Sequence, residues 1–70
     1  VNLERLGSFP PGSTVTPEVL KESGIIKSIR KPVKILGRGE LVNSLKVIAH
    51  KFSKSAKLGI ESAGGSIESL

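Results

Sequence analysis

The chain has 70 residues, no cysteine and a formal net charge of +5, so we expect a single small domain over residues 1–70 without disulfides or a thiolate zinc site. At this length roughly 60% of the surface exposed by the unfolded chain is buried, which leaves little room for a deep catalytic cleft. The apolar runs, such as Val47-Ile48-Ala49, fall far short of the ~20 residues of a membrane span, and no signal peptide is recognisable, so we expect a soluble protein without a membrane partner.

The first clearly signalled element is a helix in Thr16–Ser23. Thr16 is a suitable N-cap, and Pro17 fits the first helical position, where its missing N–H costs nothing. Gly24 can adopt the left-handed conformation that commonly ends a helix. Upstream, residues 1–6 are compatible with either a short strand or one helical turn, and the sequence does not distinguish them.

Strand signals begin after Pro32. In Val33-Lys34-Ile35 apolar residues alternate with lysine, and Leu45-Lys46-Val47 repeats the arrangement. Because side chains alternate between the two faces of a strand, Lys34 and Lys46 should point to solvent while their apolar neighbours point inward. Residues 66–70 are interpreted as a final short strand.

A second helix is predicted over Lys54–Ala63. Ser53 is its expected N-cap and Gly64-Gly65 its end. Ala56 and Ile60 fall on one face at helical spacing and are expected in the core. Together the elements predict the α/β class: a small single domain of short strands and two to three short helices.

The positive charge is concentrated in the middle of the chain. Nine of the eleven basic residues lie between Lys27 and Lys57 with one acid, Glu40, so this stretch carries a formal charge of +8. Residues 1–26 sum to −1 and residues 58–70 to −2. A field of this size on a small domain attracts polyanions, of which nucleic acid is the most common. A well-solvated basic surface is the alternative interpretation.

Few residues are suited to catalysis. His50 is the only histidine and the chain has no aspartate, which excludes a Ser-His-Asp arrangement and leaves no ligand set for a metal ion. Gly37-Arg38-Gly39 is similar to the start of a dinucleotide fingerprint, but Val42 replaces the third glycine, so a tight turn is the better interpretation. We therefore expect no enzymatic activity, cofactor, metal site or small-molecule substrate.

The segment His50–Lys57 has the features of a phosphate-binding site. It joins a strand to a helix, so free backbone N–H groups and the positive end of the helix dipole coincide with three lysines and two hydroxyls. Phe52 is either a buried anchor or a platform for an unpaired base, and the scarcity of aromatics favours the anchor. A solvated lysine cluster around a capped helix remains the structural alternative.

Five segments in this order and spacing resemble one family, the carboxy-terminal domain of the bacterial-type large-subunit ribosomal protein fifteen. They are Val1-Asn2-Leu3, Val15–Leu20, Val33–Leu41, Ala49–Ala56 and Ala63-Gly64-Gly65. The resemblance implies a compact α/β domain that binds large-subunit ribosomal RNA, contacts neighbouring ribosomal proteins and supports subunit assembly without enzymatic activity. It implies a location in the cytoplasmic ribosome, with an organellar ribosome left open. It also implies a basic amino-terminal extension, so a chain beginning at Val1 is interpreted as a fragment or processed domain.

Carried over to this chain, the family pattern supports RNA contacts from the His50–Lys57 segment and from Arg38. With the outward strand lysines, the predicted RNA-binding residues are Lys34, Arg38, Lys46, His50, Lys51, Ser53, Lys54 and Lys57. The contacts are expected to be with the RNA backbone and shape rather than with base sequence. The alternative hypothesis is a protein-interaction module whose basic face binds an acidic protein.

Overall fold

A computed structural model describes residues 1–70 and contains three helices and five short strands. In chain order the elements are a 3-10 helix at Leu3–Ser8, β1 at Thr14–Val15, α1 at Pro17–Glu22, β2 at Lys34–Ile35, β3 at Lys46–Ala49, β4 at Lys51–Phe52, α2 at Lys54–Ser62 and β5 at Ser66–Ser69. This confirms the predicted small α/β fold with short strands. No helix combines the length and apolar character needed to cross a membrane.

The strands form two small sheets in which every pair is parallel. One sheet has the order β1-β3-β5, and the other pairs β2 with β4. Asn2 adds an isolated parallel bridge to Leu36, which places the start of the chain beside β2. Parallel neighbours need a crossover connection. Helix α2 supplies one of them, because it connects the second sheet back to β5 at the edge of the first.

Both ends of α1 are determined by local chemistry, as the sequence predicts. The Thr16 hydroxyl accepts a hydrogen bond from the Val19 N–H at 3.2 Å. At the other end Gly24 has a φ of +81°, and the Ile25 N–H donates to the Leu20 carbonyl at 3.0 Å. This is the 6→1 hydrogen bond of a Schellman motif, so the predicted stop is confirmed.

Helix α2 follows its prediction equally closely. The Ser53 hydroxyl accepts from the Ala56 N–H at 3.1 Å, and Ala56 and Ile60 are completely buried. The helix ends at Ser62, one residue earlier than predicted, with Ala63 as the C-cap and Gly64 at a φ of +86°.

Twelve buried hydrophobic residues form one core between the sheets and helices. They are Leu3, Leu6, Val15, Leu20, Val33, Ile35, Leu41, Leu45, Val47, Ala49, Ala56 and Ile60. Lys34 and Lys46 are exposed while Ile35 and Val47 are buried, which confirms the predicted alternation. Phe52 is half-buried and packs against this core, in agreement with its interpretation as an anchor.

Two strands have no counterpart in the sequence prediction. β1 and β4 are each two residues long, and β4 lies in a segment that the sequence analysis treats as the loop before α2. A strand this short has no periodicity to recognise. It forms because a distant strand supplies its hydrogen bonds, β3 for β1 and β2 for β4.

Gly65 allows β5 to start against β3, which yields a stability prediction. A Cβ at this position would lie 2.9 Å from the Leu45 nitrogen and closer still to its carbonyl oxygen, so Gly65→Ala must displace backbone. We expect a loss of roughly 1–3 kcal/mol of unfolding free energy, measured by urea denaturation. Gly7→Ala is the matched control, because nothing lies within 4 Å of its Cβ. Equal stability of the two variants would contradict this account.

Candidate nucleic-acid interface

The start of α2 is docked against the glycine turn that follows β2. The Gly37 N–H donates to the Ser53 hydroxyl at 3.2 Å. A Cβ at Gly37 would lie 2.7 Å from the Ala56 nitrogen, so only glycine fits this approach. Gly39 has a φ of +83°, which supports the predicted tight turn. Two segments whose bonded residues are 16 positions apart in the chain therefore form one surface.

Arg38 is exposed at the tip of this turn. Its carbonyl accepts a hydrogen bond from the Glu4 N–H at 3.2 Å, which fixes its backbone against the 3-10 helix. Its guanidinium has no carboxylate within 4 Å. Arg38 is thus held beside the α2 start with its charge free, as expected for a residue that contacts an anion.

Lys34 and Lys51 are paired across the β2–β4 ladder. They are register partners on adjacent strands, and both are exposed. Neighbouring strands are about 4.8 Å apart, and like charges directly opposite each other destabilise a sheet. The sequence analysis names both lysines but does not predict that they are neighbours. The pair is unfavourable for the isolated fold and favourable for binding an anion.

His50 joins the two sheets, since it is the single residue between β3 and β4. Its Nδ1 accepts a hydrogen bond from the Val33 N–H at 2.8 Å, and its backbone N–H donates to the Val33 carbonyl at 3.0 Å. The side chain is half-buried. Because Nδ1 is occupied, only Nε2 is available for the predicted RNA contact, and the principal role of the ring is structural.

Ser53 is similarly engaged. Its hydroxyl oxygen accepts from the N–H groups of Gly37 and Ala56 and lies 3.3 Å from the Ser55 hydroxyl. The residue therefore positions the α2 start, and a direct phosphate contact would have to compete with these bonds.

Lys46 lies apart from the other predicted site residues. It is on β3 in the three-stranded sheet, and its Nζ is 3.9 Å from Glu68 Oε1, the only ion pair in the structure. Both side chains are about half-exposed, so the pair contributes little stability. It does, however, offset the local charge of Lys46.

Lys54 and Lys57 are exposed on the first turn of α2. Glu61 is spaced for an i to i+4 pair with Lys57, yet no carboxylate comes within 4 Å of either lysine. The first turn also leaves the Lys54 and Ser55 N–H groups without a partner in the helix. The exposed basic side chains without a carboxylate partner at this site are Lys34, Arg38, Lys51, Lys54 and Lys57, which we call the basic track.

The bond between His50 and Val33 can be tested with an isosteric substitution. His50→Ala leaves the Val33 N–H without its acceptor, so we expect a loss of roughly 1–3 kcal/mol of unfolding free energy. His50→Asn places an amide oxygen near the position of Nδ1 and should retain most of that stability. Urea denaturation of both variants distinguishes this role from simple filling of space, for which the two would be equally destabilised.

The cap of α2 offers a second pair of variants. Ser53→Ala removes the acceptor of two backbone N–H groups and should cost roughly 1–2 kcal/mol of unfolding free energy. Ser55→Ala removes only a contact between two hydroxyls and should change stability by less than about 0.5 kcal/mol. If thermal or urea unfolding gives the opposite order, Ser53 does not hold the turn and helix together.

A comparison with known protein families gives one result for nearly the whole domain. Residues 1–68 match the family model described as ribosomal proteins 50S-L15 and 50S-L18e together with their 60S counterpart. The match reaches into the last strand and includes every residue of the basic track. It confirms the resemblance identified from the five sequence segments. The chain therefore belongs to this family of large-subunit ribosomal proteins.

Proposed function

We propose that this chain binds large-subunit ribosomal RNA through the basic track and supports subunit assembly as a structural, non-enzymatic component. The observation that carries the proposal is the set of five exposed basic side chains around the β2–β4 ladder and the α2 start, none with a carboxylate within 4 Å. An uncompensated charge of this size needs an anion from outside the domain.

The chemistry of the track suits phosphate groups. Ammonium and guanidinium groups neutralise phosphates and release their condensed counterions, which supplies much of the affinity for nucleic acid. The unpaired N–H groups of Lys54 and Ser55 and the positive end of the α2 dipole add donors in the same place. The track therefore combines mobile charges with fixed backbone donors.

The aromatic residues argue for contacts with the RNA backbone and shape. The chain has two aromatics, Phe9 and Phe52, and both pack against the core as half-buried side chains. Proteins that bind single strands by stacking use exposed aromatic platforms. Without such a platform along the track, its phosphate contacts position the domain on RNA without reading sequence.

We also propose that the domain contacts neighbouring proteins in a cytoplasmic ribosome. Leu58 lies on the exposed face of α2 next to the track and is more than half exposed, at 56%. An apolar side chain at the edge of an RNA-binding surface suits a protein neighbour better than a phosphate.

The salt dependence of RNA binding tests the track residue by residue. Single alanine substitutions of Lys51, Lys54 or Lys57 should each reduce the slope of log K against log salt by about one unit or somewhat less, because one phosphate contact is lost. Lys46→Ala should change the slope by much less, since Glu68 already offsets its charge. Binding to a large-subunit rRNA fragment at several salt concentrations provides the measurement.

Lys21→Ala is the matched control, because this lysine is exposed on α1 outside the track. Slopes that stay unchanged in all three track variants would reject RNA binding by this surface. Recovery of the domain with an acidic protein from RNase-treated extract, without sedimentation with ribosomal particles, would support the protein-interaction alternative instead.

A further inference from the structure

A basic pocket next to the track is not accounted for by the helix-start site. It is open to solvent, has a volume of about 350 Å³, and lies between the loop after α1 and β2. Three lysines surround it, Lys27, Lys31 and Lys34, and Ile26 and Val33 are among the apolar residues that line it. Lys27 and Lys31 belong to the basic stretch of the sequence, but the sequence analysis does not assign them to a site.

The apolar part of the pocket is firmly held. Val33 is buried, its N–H donates to His50 Nδ1, and its carbonyl accepts from the N–H groups of His50 and Lys51. Ile26 is half-buried, packs against the core, and donates its N–H to the Leu20 carbonyl at 3.3 Å. A surface fixed in this way can receive a flat apolar group without first having to become ordered.

The charged part of the pocket has no partner within the protein. Lys27, Lys31 and Lys34 are exposed, no acidic residue lines the pocket, and none of the three forms an ion pair. The Ser28 hydroxyl accepts the Arg30 N–H at 3.1 Å and so shapes the loop that carries Lys27 and Lys31. The pocket therefore combines an apolar surface with three uncompensated positive charges.

We propose that this pocket binds a single unpaired nucleotide of the RNA, with the base against Ile26 and Val33 and the flanking phosphates among the three lysines. A nucleotide has both an apolar face and negative charge, and pockets of roughly 300 Å³ or more accommodate small ligands. RNA-binding proteins commonly take up unpaired bases that are splayed out of a helix.

Continuity with the basic track favours RNA over an acidic peptide. Lys34 lines the pocket and is also the register partner of Lys51, so one lysine belongs to both surfaces. A nucleic-acid strand whose phosphates follow the track can thus place its next nucleotide in the pocket. This inference rests on the proposed RNA-binding function and adds to it a preference for an unpaired nucleotide at one place.

The test is an amide NMR titration of the chain with adenosine monophosphate and, separately, with inorganic phosphate. We expect the nucleotide to shift the amide signals of Lys27, Lys31 and Val33 and to bind about fivefold more tightly than phosphate, because the base covers apolar surface. Lys27→Ala/Lys31→Ala should weaken nucleotide binding about tenfold. Lys54→Ala/Lys57→Ala should leave it unchanged, since neither residue lines the pocket.

Several outcomes would overturn the proposal. They are the absence of shifts at the pocket amides, equal affinity for the nucleotide and for phosphate, and tighter binding of a pentaglutamate peptide at the same amides. Circular dichroism of the double variants verifies that the fold is retained. Because the titration uses a mononucleotide, it is independent of the rRNA salt slopes, and the failure of the pocket can be told apart from the failure of the basic track.

Discussion

The peptide unit of Val33 is the point on which the arrangement of both sheets depends. Its N–H is bound by His50 Nδ1, and its carbonyl accepts the N–H groups of His50 and Lys51. Because His50 is the only residue between β3 and β4, these bonds fix where the chain leaves the first sheet and enters the second. They also set the register that pairs Lys34 with Lys51 and support the apolar side of the pocket. The one histidine of the chain thus builds the binding surface from behind.

The same region carries charge that the isolated domain does not need. Two lysines face each other across the β2–β4 ladder, and further lysines stand on the first turn of α2, where the positive end of the dipole disfavours cations. The first turn of that helix contains no acidic residue that would favour its start. In a domain this small, with marginal stability, such an arrangement is unfavourable for folding alone. An external polyanion converts the repulsion into binding energy, and RNA is the polyanion that the family membership points to.

Elements with local signals could be predicted from the sequence, and elements with distant partners could not. Both α-helices are predictable because Thr16, Ser53, Gly24 and Gly64 act within one turn of the chain. β1 and β4 are not, because two residues carry no period and their hydrogen bonds come from strands far away in sequence. The candidate site shows the same division. Its α2 portion is predicted as a unit, whereas the neighbouring positions of Lys34 and Lys51 follow from strand register alone.

Position in sequence also groups residues that the fold separates. Lys46 and Lys51 are close in the chain and look equivalent, but they lie on different sheets, and Lys46 is paired with Glu68 on the adjacent strand β5. Lys27 and Lys31 lie in an irregular loop without a period, so nothing in the sequence indicates their orientation. The structure places them around the pocket with Lys34. The charge of the middle section is therefore divided by the two sheets: an offset lysine on the first, and on the second a continuous track that leads from the α2 start to the pocket.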